Sequence, residues 1–114
     1  ATQNGPHRAD ILVKLGDQPA VGVLSRGQQK VLVGALKIAQ GTLHSASIGA
    51  PCIYLLDDLP AELDHVNRER ILRKIFELRC QLFVTSVDKE SLKGCLEYAP
   101  EAHTFHVERG TITD

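Results

Sequence analysis

A short apolar run that ends in two carboxylates constrains the fold of this chain more than any other feature. Residues 52–56 have the sequence CIYLL, and Asp57 and Asp58 follow directly. A continuous apolar run of this length is typical of a parallel strand that is covered on both faces. We therefore predict a central strand here, with both carboxylates at its carboxyl end, where ligands of open parallel sheets bind.

The rest of the chain alternates between strand patterns and helix patterns. Further strands are predicted at residues 9–15, around Val21 and Val23, and at residues 81–85, 103–107 and 111–113. Helices are predicted at residues 25–45, 64–79 and 89–96. The apolar residues that recur at helical spacing in the first helix are Val31, Leu32, Ala35, Leu36, Ala39 and Leu43. This alternation predicts an α/β fold with a mostly parallel sheet flanked by helices.

Size and composition exclude several classes of protein. A chain of 114 residues fits one domain, and its hydrophobic content of 43% argues against disorder. The net charge of −1 provides no general attraction to nucleic acid or to an anionic membrane. The sequence has neither a membrane-spanning run nor a signal-peptide pattern, so we expect no membrane association. Its three cysteines lack CxxC spacing, which argues against a zinc site and favours a cytoplasmic location.

The sequence LSRGQQK, residues 24–30, predicts a helix that begins with exposed backbone donors. Ser25 is a good N-cap residue, and Gln28 three positions later completes a capping box. Gly27 leaves the first turn without a side chain, so another molecule can approach the backbone closely. The first amides of a long helix are unsatisfied donors with partial positive charge, which suits a phosphate.

The adjacent carboxylates Asp57 and Asp58 predict a cation nearby, because two such groups repel each other unless a positive charge compensates them. In a phosphate site, Mg²⁺ with its retained waters usually fills this role.

The helix predicted at residues 64–79 is locally basic, and we interpret this as a solvated face rather than a phosphate-binding surface. Its basic residues are Arg68, Arg70, Arg73, Lys74 and Arg79.

In this order along the chain, LSRGQQK at residues 24–30 and CIYLLDD at residues 52–58 resemble the signature motif and the Walker B motif of an ATP-binding-cassette ATPase. The resemblance implies that the signature faces the γ-phosphate of an ATP held by a partner subunit. The signature residues are Ser25, Arg26, Gly27 and Gln28. The resemblance to cassette ATPases further implies that Asp57 contacts Mg²⁺ through water. It places Asp58 where most members have the catalytic Glu that orients the attacking water.

The segment after the carboxylates resembles the D-loop of the same superfamily, which runs along the dimer interface. The D-loop residues are Ala61, Glu62, Leu63 and Asp64. Thr85 or Ser86 stands at the position where most cassette ATPases have a switch His, and this departure argues against a transporter. A Walker A loop is absent from the sequence. Gly22 and Gly27 have the spacing of its two glycines, but Gln28 and Gln29 follow where a P-loop requires Lys and then Ser or Thr.

The chain as a whole, residues 1–114, resembles the carboxyl-terminal part of the ATP-binding-cassette head in the RecF family of recombination mediators. The match combines LSRGQQK, LLDDLPAELD and FHVERG with the upstream residues Gly5, Pro6, His7 and Arg8. The resemblance implies an ATP- and Mg²⁺-binding protein of DNA replication, recombination, repair and the SOS response. It implies an ATP-dependent homodimer on double-stranded, gapped DNA that helps RecO and RecR to load recombinase, with weak DNA-dependent ATPase activity. The fragment alone is expected to be inactive.

Two alternatives stay open at this stage. One is a structural ATPase head of the SMC type, which long coiled-coil heptads upstream of Ala1 would indicate. The other is an interaction domain that retains the motifs but binds no nucleotide. Each of these possibilities is compatible with the motifs between Ser25 and Asp64, whereas the upstream residues Gly5, Pro6, His7 and Arg8 favour the RecF family over the SMC type.

Overall fold

The computed structural model describes residues 9–113. The motif formed by Gly5, Pro6, His7 and Arg8 lies outside the described residues. The strands are β1 (Lys14–Leu15), β2 (Gln18–Pro19), β3 (Ile53–Leu56), β4 (Gln81–Val84), β5 (His106–Glu108) and β6 (Thr111–Thr113). The helices are α1 (Ala20–Val23), α2 (Arg26–Ile48), α3 (Leu59–Glu62), α4 (His65–Glu77) and α5 (Lys93–Leu96), with a 3-10 turn at Glu90–Leu92 before α5.

The α/β fold is confirmed, and its parallel part is one pair of strands. β3 and β4 pair in parallel, with Ile53 opposite Gln81 and Leu56 opposite Val84. The connection between them contains α3 and α4, as a parallel pair requires. The strand pairs β1–β2 and β5–β6 are antiparallel hairpins, each with a separate two-stranded sheet. The mostly parallel sheet is therefore confirmed only for β3 and β4.

Helix α4 contributes to both parts of the hydrophobic core. Its residues Ile71 and Ile75 form one cluster with Ile38 of α2, while Leu72 forms the other with Leu59 and Cys95. Leu72 and Ile75 are the most deeply buried side chains, at 1% exposure each. Burying a side chain of this size contributes about 2 kcal/mol to stability. The Walker B-like strand therefore rests on a core that α4 organises.

The face of α2 that packs against β3 and α4 is formed by Ile38 and two glycines rather than by the predicted Leu36 and Leu43. A Cβ added at Gly41 would lie 2.1 Å from the hydroxyl oxygen of Tyr54, and one at Gly34 would lie 3.1 Å from Ile71. Because these glycines allow β3 and α4 to approach closely, Ile38 between them is the buried residue of the helix. Leu36 and Leu43, which belong to the predicted apolar face, are exposed.

The prediction that the strand at residues 52–56 is covered on both faces is wrong for this chain. Tyr54 and Leu56 face the core, whereas Ile53 and Leu55 are 61% and 74% exposed. Phe83 on β4 is exposed as well. The continuous apolar run therefore gives a sheet with one packed face and one open face, because the described residues place helices on one side of it only.

Three further predictions need correction. The second arm of the first hairpin ends at Pro19, and Val21 and Val23 lie in the short helix α1 instead. Pro19 lacks an amide donor and stands directly before α1, a position where proline suits a helix start. The helix predicted at residues 25–45 continues to Ile48, where Gly49 ends it with a left-handed backbone. The helix predicted at residues 89–96 divides into the 3-10 turn and α5.

Candidate functional site

Thr85 connects the ends of the two parallel strands. Its backbone amide donates to the carbonyl of Leu56 at 2.9 Å, which extends the ladder one residue beyond β4. Its hydroxyl donates to Oδ1 of Asp57 at 2.5 Å and accepts from the amide of Asp58 at 2.9 Å. One hydroxyl thus orients the Asp57 carboxylate and fixes the turn that follows it. The second oxygen of Asp57 stays available to accept from a water or to face a cation.

Asp58 differs from Asp57 in backbone conformation and in exposure. Its φ of 44° and ψ of 45° lie in the left-handed region, which costs about 1 kcal/mol for most residues but is tolerated best by Gly, Asn and Asp. Its carbonyl accepts from the amides of Ala61 and Glu62 and so begins α3. Asp57 is exposed, whereas Oδ1 of Asp58 is buried without a hydrogen-bond partner in residues 9–113. The two carboxylates are therefore not equivalent.

The start of α2 has the capping box that the sequence predicts. Ser25 Oγ accepts from the amide of Gln28 at 3.2 Å, and Gln28 Oε1 accepts from the amide of Ser25 at 2.9 Å. The next amide, of Gln29, donates to the carbonyl of Ser25. Within the described part of the chain, the amides of Arg26 and Gly27 have no acceptor. These two donors are exposed and able to bind an anion from outside.

Gln29 holds this helix start in place, a role that the sequence analysis did not assign. Its side-chain amide donates to the carbonyls of Val21 at 3.2 Å and Leu24 at 2.9 Å. It thereby ties the end of α1 to the first turn of α2. The sequence offers no signal for this contact beyond the presence of a second Gln. One acceptor, the carbonyl of Val21, lies eight residues before Gln29, in a segment predicted to be a strand.

The predicted D-loop, residues 61–64, spans the last two residues of α3, the C-cap residue of this helix and the N-cap residue of α4. Asp64 caps α4 by accepting from the backbone and side-chain amides of Asn67, and these bonds lower the pKa of the Asp64 carboxyl. Glu62 forms an ion pair of 2.7 Å with Lys30 on α2. This pair joins the D-loop of the chain to its own signature helix, which the separation of the two motifs in sequence did not predict.

A groove of about 1170 Å³ runs between α2 and β3. Arg26, Gln29 and Lys30 line it from the helix, and Asp57 and Glu62 line it from the strand end and α3. The structure thus brings part of the signature and one of the two carboxylates to a common groove. Asp58, Thr85 and Ser25 do not line it.

The structure separates the two candidates for the switch position. Thr85 bonds to the carboxylate segment, whereas the Ser86 hydroxyl donates to the carbonyl of Asp88 at 2.9 Å and accepts from the amide of that residue. Ser86 therefore shapes the loop after β4. Both hydroxyls already have protein partners, so neither resembles a free donor that points away from the chain.

The described residues contain no group of three side chains able to hold a metal ion. Magnesium in phosphate sites needs fewer, because it keeps several waters and binds one or two carboxylates together with the phosphates. An exposed Asp57 with one oxygen fixed by Thr85 fits such a water-mediated role.

Between residues 9 and 113, no helix has both the length and the apolar composition that crossing a bilayer requires.

Comparisons with known proteins identify the family to which the chain belongs. Residues 10–113 match the family described as RecF/RecN/SMC N terminal domain. The chain therefore belongs to this family of ATPase-like domains. The description refers to an N-terminal domain, so the comparisons do not support the expectation that the chain is a carboxyl-terminal fragment.

Curated relatives of the chain include RecF proteins. The chain is 51% identical over 112 residues to DNA replication and repair protein RecF of Pseudomonas fluorescens strain SBW25, a match that covers 98% of this chain and 30% of the relative. It is 48% identical over 111 residues to the protein of the same name from Chromohalobacter salexigens, covering 97% of this chain and 31% of the relative. The chain thus spans about 30% of the length of these relatives. No solved structure matches it significantly.

Proposed function

We propose that this chain is part of a RecF-like DNA-repair ATPase, and that it supplies one half of a nucleotide site shared by two subunits. In this proposal, Asp57 orders Mg²⁺ through water, and Asp58 orients the water that attacks the γ-phosphate. Ser25, Arg26, Gly27 and Gln28 face the γ-phosphate of an ATP held by the partner subunit. The intact protein binds ATP, dimerises on gapped double-stranded DNA, and helps RecO and RecR to load recombinase.

One observation carries the nucleotide part of the proposal, namely the hydrogen-bonded arrangement of Thr85, Asp57 and Asp58 at the carboxyl end of a parallel pair. Ligands of open parallel sheets bind at this edge. An exposed carboxylate that is already oriented supports a role in binding a hydrated cation, since no side-chain freedom is lost on binding. The names of the relatives favour RecF over an SMC-type structural head.

Binding of Mg-ATP to the intact protein tests the site. We expect Asp57→Asn to remove the Mg²⁺-dependent part of the ATP affinity, measured with a fluorescent nucleotide with and without Mg²⁺. Asp17→Asn is a matched control, because it removes an exposed carboxylate from the turn between β1 and β2. Equal Mg²⁺ dependence in both variants would place the metal site elsewhere and contradict the proposal.

The 114-residue chain by itself is expected not to bind Mg-ATP in the micromolar range. The reason is that its sequence contains no P-loop, whose backbone amides and Lys hold the β- and γ-phosphates. Calorimetric titration measures this directly. A clear micromolar isotherm would mean that the phosphates bind to other residues of this chain.

The DNA part of the proposal rests on the family alone and needs its own experiment. We expect the intact protein to hydrolyse ATP slowly and faster in the presence of gapped double-stranded DNA. Steady-state phosphate release with gapped, intact and single-stranded DNA of equal length distinguishes the alternatives. Nucleotide binding without any effect of DNA would favour a structural ATPase head, and no nucleotide binding would favour an inert interaction domain.

A further inference from the structure

Arg68 makes contacts that the interpretation of α4 as a solvated basic face did not predict, and that interpretation is wrong for this residue. Its guanidinium donates to the carbonyls of Pro60 at 3.4 Å and Leu63 at 3.3 Å. It also donates to the carbonyl of Ser91 at 3.2 Å. These bonds are partly buried, in contrast to Arg73, which pairs on the surface with Glu69.

The carbonyls that Arg68 binds are ones that need a donor. Pro60 lies in α3, and Leu63 is the residue that ends this helix. The last carbonyls of a helix have no partner within it, and a basic side chain near the end can satisfy them. Arginine suits this task because its planar guanidinium carries five donors in a fixed fork. Without Arg68, α3 and the predicted D-loop would lose the side chain that binds the carbonyls of Pro60 and Leu63.

The third carbonyl belongs to the segment that follows the switch position. Asp88 accepts from the amide of Ser91 at 3.2 Å and from its hydroxyl at 2.7 Å, and Ser86 bonds to Asp88 in turn. A continuous series of hydrogen bonds therefore runs from Ser86 through Asp88 and Ser91 to Arg68. From Arg68 it continues to the D-loop.

The guanidinium of Arg68 lies in partly buried surroundings. The Nε atom is buried and has no hydrogen-bond acceptor among the described residues. The Cys95 thiol lies beside the guanidinium; burial raises the pKa of this thiol, and the positive charge of Arg68 opposes part of the rise. No carboxylate bonds to Arg68 in residues 9–113, so its charge is compensated by backbone carbonyls alone.

We propose that Arg68 is a positioning residue that holds the D-loop in shape and ties it to the loop after β4. The inference rests on the proposed function for one point, the role of the D-loop at the dimer interface. Arg68 touches no reactant. It acts through the backbone of Pro60 and Leu63, so that a change at the switch segment is transmitted to the surface that the partner subunit contacts.

Hydrogen exchange of the intact protein tests the positioning role directly. In Arg68→Met, we expect the amides of Ala61, Glu62 and Leu63 to exchange about tenfold faster, as loss of a charged donor to part-buried carbonyls predicts. The amides in the second half of α4 should keep their protection. Arg70→Met is the matched control, since it removes the same charge from an exposed position on the same helix. Equal acceleration in both variants, or none at the D-loop, would overturn the proposal.

Arg68→Lys retains the charge and provides a second variant if Arg68→Met does not fold. One ammonium cannot reach three carbonyls in fork geometry, so hydrogen exchange of the D-loop amides should again be faster than in the parent protein. The unfolding temperature should change less than it does in Arg68→Met. ATP-driven dimerisation should weaken in Arg68→Lys with monomer ATP binding unchanged. If the parent protein does not dimerise with ATP, the proposed function fails, and the exchange result still decides whether Arg68 positions the D-loop. Unchanged D-loop exchange in Arg68→Lys would overturn the proposal.

Discussion

The start of α2 and the ends of β3 and β4 offer a possible ligand two different kinds of surface. At the start of α2 the free donors are backbone amides, those of Arg26 and Gly27, and the side chains of Ser25 and Gln28 are occupied with each other. At the strand ends the chemistry lies in side chains, and the hydroxyl of Thr85 has already oriented Asp57.

This difference indicates what each region requires. Anion binding by backbone donors at a helix start is unaffected by most substitutions, provided that the cap is intact and no side chain blocks the approach of the anion. Oriented carboxylates depend on each atom that holds them. We therefore expect conservative substitutions to have large effects at the strand ends, whereas at the start of α2 only bulk or loss of the cap should matter.

The largest effect is expected for Asp58→Asn in the intact protein. Asn tolerates the left-handed backbone of this position, so the fold should be unchanged. If Asp58 orients the attacking water as proposed, removal of its charge should slow hydrolysis by about 10²–10⁴. Single-turnover kinetics with separate measurement of Mg-ATP binding should show slow chemistry and normal affinity. Hydrolysis at the parent rate would assign the attacking water to another group.

Asp58→Glu sharpens the same test. The longer side chain restores the reach that most cassette ATPases have, but Glu is less suited than Asp to a φ of 44°. We expect a loss of about 1 kcal/mol in the free energy of unfolding, whatever happens to turnover. Equal stability of the parent and the variant would show that the backbone at this position relaxes.

Ser25→Arg is expected to have the next largest effect, on dimerisation. The bulky side chain blocks the two amide donors, each worth about 1.5 kcal/mol toward a phosphate, so ATP-driven dimerisation should weaken about a hundredfold. ATP binding to the monomer should stay the same, because in the proposed arrangement the helix start faces an ATP held by the partner subunit. Ser25→Ala is the control; it removes the cap at about 1 kcal/mol of stability but leaves the approach open. Equal loss of monomer binding in Ser25→Arg would contradict the role in trans.

Thr85→Val should have a smaller effect, because it leaves both carboxylates in place. It removes the bond that orients Asp57 and the bond that the hydroxyl accepts from the amide of Asp58. The exposed position reduces the value of this charge-assisted bond, so Mg-ATP affinity should fall by about threefold to tenfold. Thr85→Ser keeps the hydroxyl and should restore the parent affinity. If Val and Ser behave alike, the hydroxyl does not contribute to the site.

The smallest effect concerns the ion pair between Lys30 and Glu62, which joins the two regions. Both side chains are about half exposed, and such pairs contribute about 0–1 kcal/mol. A double-mutant cycle with Lys30→Ala and Glu62→Ala should give a coupling energy within this range that decreases with added salt. A coupling well above it would mean that the two regions do not act independently.

The sequence predicted the local features of both regions well. The capping box at Ser25 and the N-cap at Asp64 follow from short-range patterns, and both are confirmed. The strand pair β3–β4 is confirmed, because a short apolar run bounded by turn residues specifies a strand, although only one face of each strand is packed. The placement of Asp57 and Asp58 at the strand end follows from the same run. The assignment of roles to these residues stays a prediction.

Contacts between distant segments could not be predicted. The packed face of α2 is set by Gly34 and Gly41, which a search for apolar spacing passes over because they carry no side chain. Arg68 looked like one member of a basic face, since nothing in a helical pattern indicates which arginine turns back to the preceding loop. The exposure of Ile53 and Leu55 depends on which segments cover the sheet, and sequence alone does not specify this.

The parallel register of β3 and β4 also has a consequence for the order of folding. The paired residues Ile53 and Gln81 lie 28 positions apart in sequence (81 − 53), so they meet only after α3 and α4 have folded back across the sheet. Closing such a connection costs chain entropy before any strand bond forms, whereas α4 can form from local contacts alone. We therefore expect the bond between Asp57 and Thr85 to form among the last steps, which makes the carboxylate edge of the sheet a product of complete folding rather than a nucleus for it.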